Sequence, residues 1–121
     1  MSNQQKAEKL NRRIFYYKDY YLDFFNSLED DVREKFNWTL QLISTLEIIP
    51  VKFFKHITNS SGIYEIRVEY HGNIYRVFCF FDKGNIIILI NGFHKKSFKT
   101  PKKELEYAEK LQNNYFNEKE E

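Results

Sequence analysis

The stretch IYEIRVEYHGNIYRVFCFFDKGNIIILING, residues 63–92, decides the fold. It divides into three segments rich in β-branched and aromatic residues, Ile63–Tyr70, Ile74–Phe81 and Asn85–Gly92, separated by His71-Gly72 and Lys83-Gly84. Such segments fit a pleated sheet, and a glycine in a two-residue connection suits the positive φ angles of a tight hairpin. The stretch therefore reads as an antiparallel meander. A two-residue turn at His71-Gly72 puts Tyr70 opposite Asn73 and Arg67 opposite Arg76, and the same turn at Lys83-Gly84 sets Arg76 against Asn91. Alternation then sends Tyr64, Ile66, Val68, Tyr75, Val77, Cys79, Phe81, Ile86, Ile88 and Ile90 to one face. Glu65, Arg67, Glu69, Arg76, Phe78 and Asn91 fall on the other.

Upstream, the run from Arg12 to Tyr17 has the composition of a first strand. Tyr20, Tyr21, Phe24, Phe25 and Leu28 follow at helical spacing, and Val32, Phe36, Leu40 and Ile43 continue the stripe in a second helix, with Trp38, Leu42 and Ile49 widening its buried face. Ser27 marks the start of that helix and Pro50 its stop. Downstream, Thr100-Pro101 is an N-cap followed by proline at the first helical position, and Leu105, Ala108, Leu111 and Tyr115 share one side of a last helix. The expected order is β-α-α-β-β-β-α, an α+β fold in one domain over residues 12–116, with a polar arm at 1–11 and a charged, mobile tail at 117–121.

Apolar residues form 42% of the 121 and charged residues 30%, which excludes a disordered chain, and no apolar run is long enough for a membrane span. The lone Cys79 excludes an internal disulfide and, with three scattered histidines, the usual cysteine-rich zinc sites. No apolar stretch follows the basic N-terminus as in a signal peptide, so a cytoplasmic protein is expected. The net charge of +2 conceals a division. Lys95, Lys96, Lys99, Lys102 and Lys103 fall between His94 and Lys103 without an acid, and the rest of the chain is acidic.

Two arginines opposed across a ladder repel, at a cost of about 1 kcal/mol or less if uncompensated. Compensation comes either from Glu65 or Glu69 or from an external polyanion. The planar fork of arginine suits phosphate, Lys52, Lys55 and His56 precede the meander, and the lysine run follows it. Phe78 or tyrosine rings are candidate stacking platforms for single-stranded bases. His56, His71 and His94 have no partner visible in the sequence, and Cys79 alternates into the core.

Three ordered segments carry a resemblance: Gly62-Ile63-Tyr64-Glu65-Ile66-Arg67-Val68, Gly72-Asn73-Ile74-Tyr75-Arg76-Val77-Phe78, and Leu89 through Gly92-Phe93-His94-Lys95-Lys96-Ser97-Phe98-Lys99-Thr100-Pro101. Together they resemble the phage-derived HigB-like branch of the RelE/ParE toxin superfamily, over roughly residues 12 to 116. The resemblance implies a RelE-like fold, a small antiparallel sheet with two N-terminal helices on one face and a C-terminal helix. It implies the toxin of a type II toxin–antitoxin pair, an endoribonuclease that cuts mRNA on the ribosome, with no metal and no cofactor. Arg67 and Arg76 look like the arginines that hold the scissile phosphate, with Lys95 in the basic part of the same site. Lys55, Asn91, His94, Lys96, Lys99, Lys102 and Lys103 would hold the flanking RNA.

Glu65 or His56 is the candidate for proton transfer, and ion pairing is the other role open to Glu65. The chain departs from the family pattern in lacking a Tyr or His at the expected acid position, where Phe98 and Thr100 stand; His94 is the nearest imidazole. The implied partners are a helix-turn-helix antitoxin, the ribosome and mRNA, with no membrane and with DNA contact only through the antitoxin. Two other readings stand beside this one: a ParE-like gyrase poison without nuclease activity, and a binding module whose active site has decayed.

Overall fold

His71 and Gly72 take φ angles of 49° and 80°, so both central residues of the first hairpin occupy the left-handed region that such a turn demands. In the computed structural model, which describes residues 9–95 and 100–120, this turn joins β3 (Tyr64–Tyr70) to β4 (Asn73–Asp82) in the expected register, with Arg67 opposite Arg76. The second hairpin departs from expectation. Lys83 and Gly84 have positive φ, but the loop also takes in Asn85, and Asp82 faces Ile86 at the start of β5 (Ile86–Lys95). Asn85 is held outside the ladder because its carbonyl accepts the Arg13 N–H and its amide donates to the Asn11 carbonyl.

That extra residue slips β5 by one and exchanges its faces. Ile87 and Leu89, in place of Ile86, Ile88 and Ile90, join the core that contains Ile66, Val68, Tyr75, Val77 and Cys79. A bulge between Val77 and Cys79 adds a second shift, so Arg76 faces Phe93 rather than Asn91. Ile90 and Asn91 together oppose Phe78 across the bulge, the two-against-one arrangement that re-aims a side chain.

The remaining elements are β1 (Arg13–Tyr16), α1 (Tyr20–Asn26), α2 (Asp30–Thr45), β2 (Phe54–His56) and α3 (Lys102–Lys119). The sheet has five strands in the order β1-β5-β4-β3-β2. β1 lies parallel to β5 and every other pair is antiparallel, so the meander is as expected while the whole sheet is mixed. The α+β, RelE-like architecture is observed, with α1 and α2 on one face and α3 on the other. β2 has only three residues, too few to give an alternation that the sequence could reveal.

Each face has its own core. Val32, Phe36 and Ile43 of α2 and Tyr21 of α1 pack on the first, and Ala108 and Leu111 of α3 pack on Phe78, Phe80, Ile88 and Ile90 of the second. Phe36, Phe78 and Phe80 are essentially sealed from water, and truncating one such ring to alanine costs about 3–5 kcal/mol. Trp38 falls on the outer side of α2 and remains 53% exposed, in contrast to the buried position expected. Gly92 has a packing reason: a Cβ there would meet the Phe24 ring of α1 at 2.3 Å.

The helix ends also differ from the sequence reading. Ser27 donates to the Phe24 carbonyl and closes α1 instead of opening α2. α2 ends at Thr45, short of Pro50, where Arg12 donates to the carbonyls of Ile43 and Leu46 (3.1 and 2.6 Å) and Asn11 to that of Thr45. A cation at a helix C-terminus meets both the orphan carbonyls and the negative end of the dipole. α3 continues past Phe116 because Lys119 pairs with Asp82 at 2.7 Å and Glu118 with Lys18 at 3.1 Å, where a mobile tail was expected.

Candidate functional site

α3 covers only part of its face of the sheet. Where it begins, at Lys102, the strands open into a cleft of about 230 Å³ lined by Val51, Lys52, Lys55, Ile57, Glu65, Arg67, Arg76 and Thr100. Each side chain arrives there for a local reason. Lys55 and Ile57 are alternate residues, Glu65 and Arg67 are alternate residues of β3, and Arg76 comes from directly across the ladder.

The two arginines differ in setting. Arg76 is 6% exposed and donates to Glu65, itself 3% exposed, in a buried ion pair. Burial pulls the Arg76 pKa below its ordinary value, since desolvation disfavours the charged form. The Glu65 pairing stabilises the cation in that position, but Glu65 Oε1 and Arg76 Nε still lack hydrogen-bond partners among the described residues. Arg67 keeps 35% of its side chain exposed and pairs more loosely with Glu69, at 3.5 Å. Both compensating acids read from the sequence are therefore used, Glu69 only loosely, and Lys52 and Lys55 add two further cations to the cleft.

Several expected site residues go elsewhere. His56 alternates to the opposite face of β2 and meets the Tyr64 ring at 5.1 Å, so it does not reach the arginines. His94 stacks on Tyr75, at 4.7 Å and 16°, on the α1/α2 side. No imidazole lines the cleft among the described residues. Asn91 is buried and donates to Glu104 of α3, at 3.3 Å, a contact created by the bulge. Phe78 is fully buried and offers no stacking surface.

Lys102 and Lys103 are exposed on the first turn of α3, outside the cleft lining, with Lys102 4.0 Å from Glu106. Lys95 stands opposite Ile74 at the end of β5; Lys96 and Lys99 lie outside the described residues. Lys52, noted in the sequence with Lys55 and His56 but given no site role of its own, lines the cleft, and so does Thr100. Thr100 carried only a capping signal. Thr100 does not perform that role: Pro101 occupies the cap position of α3.

A family model described as Phage derived protein Gp49-like (DUF891) matches residues 23–113, which span both arginines and most of α3. The chain belongs to this Gp49-like family. The family is toxin-like, of the RelE/HigB type, which agrees with the superfamily resemblance but does not single out its HigB branch. Membership of a toxin-like family implies an antitoxin partner. No curated protein sequence matches the chain significantly. Among the described residues no helix is long and apolar enough to cross a membrane, and no three His, Cys, Asp or Glu side chains converge as a metal site would require.

Proposed function

We propose that this Gp49-like protein is the toxin of a toxin–antitoxin pair that cleaves ribosome-bound mRNA. The observation that carries the reading is the cleft in which Arg67 and Arg76, opposed across two strands, stand beside Lys52 and Lys55. In this reaction the 2′-hydroxyl attacks its own phosphorus and the bond to the 5′-oxygen breaks. A proton leaves the first oxygen and one arrives at the second, giving a cyclic phosphate and a 5′-hydroxyl. The protein has to align three oxygens, stabilise the charge gathering on the non-bridging oxygens and let protons move.

Arg67 contacts the phosphate from the open side of the cleft, and Lys52 and Lys55 neutralise the adjacent backbone. Arg76 approaches from the floor, oriented by Glu65. Glu65 supplies the one carboxylate among the described lining residues, and its partnerless Oε1 is the candidate proton acceptor. The Lys95, Lys96 and Lys99 run, which precedes Thr100 in the sequence, supplies further positive charge for ribosomal RNA.

Induced expression followed by mapping of mRNA 5′ ends tests the reading. Cuts in phase with codons, lost in Arg67→Ala and reduced by at least about a hundredfold in rate, are expected, because removal of one transition-state charge contact typically costs that much. Intact mRNA with accumulating gyrase–DNA breaks would replace the nuclease reading with the gyrase-poison one.

A further inference from the structure

The cationic surface does not end at Arg67. Lys52 and Arg67 also line a second, larger hollow of about 420 Å³, which extends along β3 toward the His71-Gly72 turn and is closed on its far side by Lys35 and Thr39 of α2. Phe53 lines the hollow as well, with Lys52 Nζ 4.9 Å from its ring centre. On the outer side of Phe53 stands Trp38, the chain's one tryptophan, 5.7 Å away and nearly perpendicular to it.

Burial does not account for Trp38, which is 53% exposed on a helix whose inner face is already filled by Val32, Phe36 and Ile43. A large exposed ring packed against Phe53, which lines a hollow with three cations and one acid, is an arrangement suited to a single strand: charge follows the backbone, and a base lies on the π-face. Lys35 is engaged, donating to the Glu69 carbonyl, whereas Arg67 is held only loosely by Glu69, at 3.5 Å with 35% of its side chain exposed, so Lys52 and Arg67 are the groups able to turn to phosphate.

We propose that this hollow is a second RNA subsite, holding a nucleotide that flanks the cleaved bond, with its phosphate between Lys52 and Arg67 and its base stacked on the exposed Trp38 ring that Phe53 props edge-on. The inference rests on the RNA-cleaving reading of the adjacent cleft and adds to it a path for the strand and a reason for the exposed ring. Stacking accepts any base, so the subsite grips the strand without selecting sequence.

Because Trp38 is the sole tryptophan, its own emission reports on the subsite. The test is a titration of the purified protein with an end-labelled, 2′-O-methylated single-stranded RNA of about eight nucleotides, within the site sizes typical of such grooves, and with an abasic counterpart of equal charge; affinity is read from the anisotropy of the label in every variant, and quenching from Trp38 in the unaltered protein. Expected are saturable quenching by the base-bearing strand and affinity weakened about tenfold in Trp38→Ala, retained in Trp38→Phe and reduced in Lys52→Gln. Equal binding of the abasic strand, or an unchanged affinity in Trp38→Ala, overturns the subsite. So does an absence of binding altogether; if Arg67→Ala still abolishes mRNA cleavage, the nuclease reading survives that loss, and if it does not, both fail. A Trp38→Ala variant that loses its antitoxin but binds RNA normally assigns the ring to a protein partner and overturns the subsite as well. Unchanged thermal melting of Trp38→Phe guards against reading misfolding as lost binding.

Discussion

The two faces of the sheet are built from the same strands yet finished differently. The α1/α2 face is closed by a continuous apolar layer, in which Tyr21, Val32, Phe36 and Ile43 meet Ile66, Val68, Val77 and Cys79. The α3 face is apolar only where Ala108 and Leu111 cover Phe78, Phe80, Ile88 and Ile90; beyond the start of α3 it carries Glu65, Arg67 and Arg76. Closing one face by hydrophobic burial, the dominant favourable contribution to folding, leaves the other free to hold charge at a cost. The contrast teaches that the cleft is a place where a helix begins too late to cover the sheet, and that the arginines are tolerated there because Glu65 and Glu69 compensate them.

The largest effect should follow from breaking that compensation. Arg76→Ala strands Glu65 in a buried position and should destabilise the fold by about 3–5 kcal/mol in denaturant unfolding, whereas Glu65→Leu with Arg76→Met should restore most of that stability while mRNA cleavage stays lost. Cleavage by the apolar pair would mean that Arg76 serves only the fold. On the dry face, Gly92→Ala pushes a methyl into the Phe24 ring and should cost about 1–3 kcal/mol, partly recovered by Phe24→Leu. A neutral Gly92→Ala would show that α1 packs more loosely than the closed layer implies.

The smallest effect is expected at the far end of α3, where the Asp82 carboxyl is held below its ordinary pKa by hydrogen bonds from Lys119 and from Tyr115 (2.6 Å). A depressed folded pKa gives stability that is fully present above the ordinary aspartate value, about 4, and lost as pH falls through the lower folded value. Asp82→Asn should therefore lower the melting temperature by roughly 5 °C at neutral pH and flatten the acid limb of a melting-against-pH curve. An unaltered acid limb would place the anchoring of α3 in its apolar contacts alone.

What the sequence revealed follows the range over which each feature is determined. The first hairpin was legible because His71 and Gly72 decide it locally, and with it the opposition of Arg67 and Arg76. The second hairpin was not, since the place of Asn85 depends on Asn11 and Arg13 and the bulge is accompanied by the Asn91–Glu104 contact, all distant in the chain. The same limit governed the site. His56 was expected beside the arginines because β2 was unrecognised, and alternation along β2 is what turns His56 away while Lys55 points in. Cys79 was read correctly as a core residue, since alternation on β4 suffices to bury it.

The parallel pairing of β1 with β5 also governs when the molecule can exist. Arg13 to Tyr16 find their partners in Ile86 to Leu89, so the first of the five strands to be made waits for the last of them before it can dock. Pairings of such sequence separation form late and slowly. A nascent chain therefore carries an unfinished sheet until β5 has been made, and the arginine cleft is completed only once Thr100 has followed it.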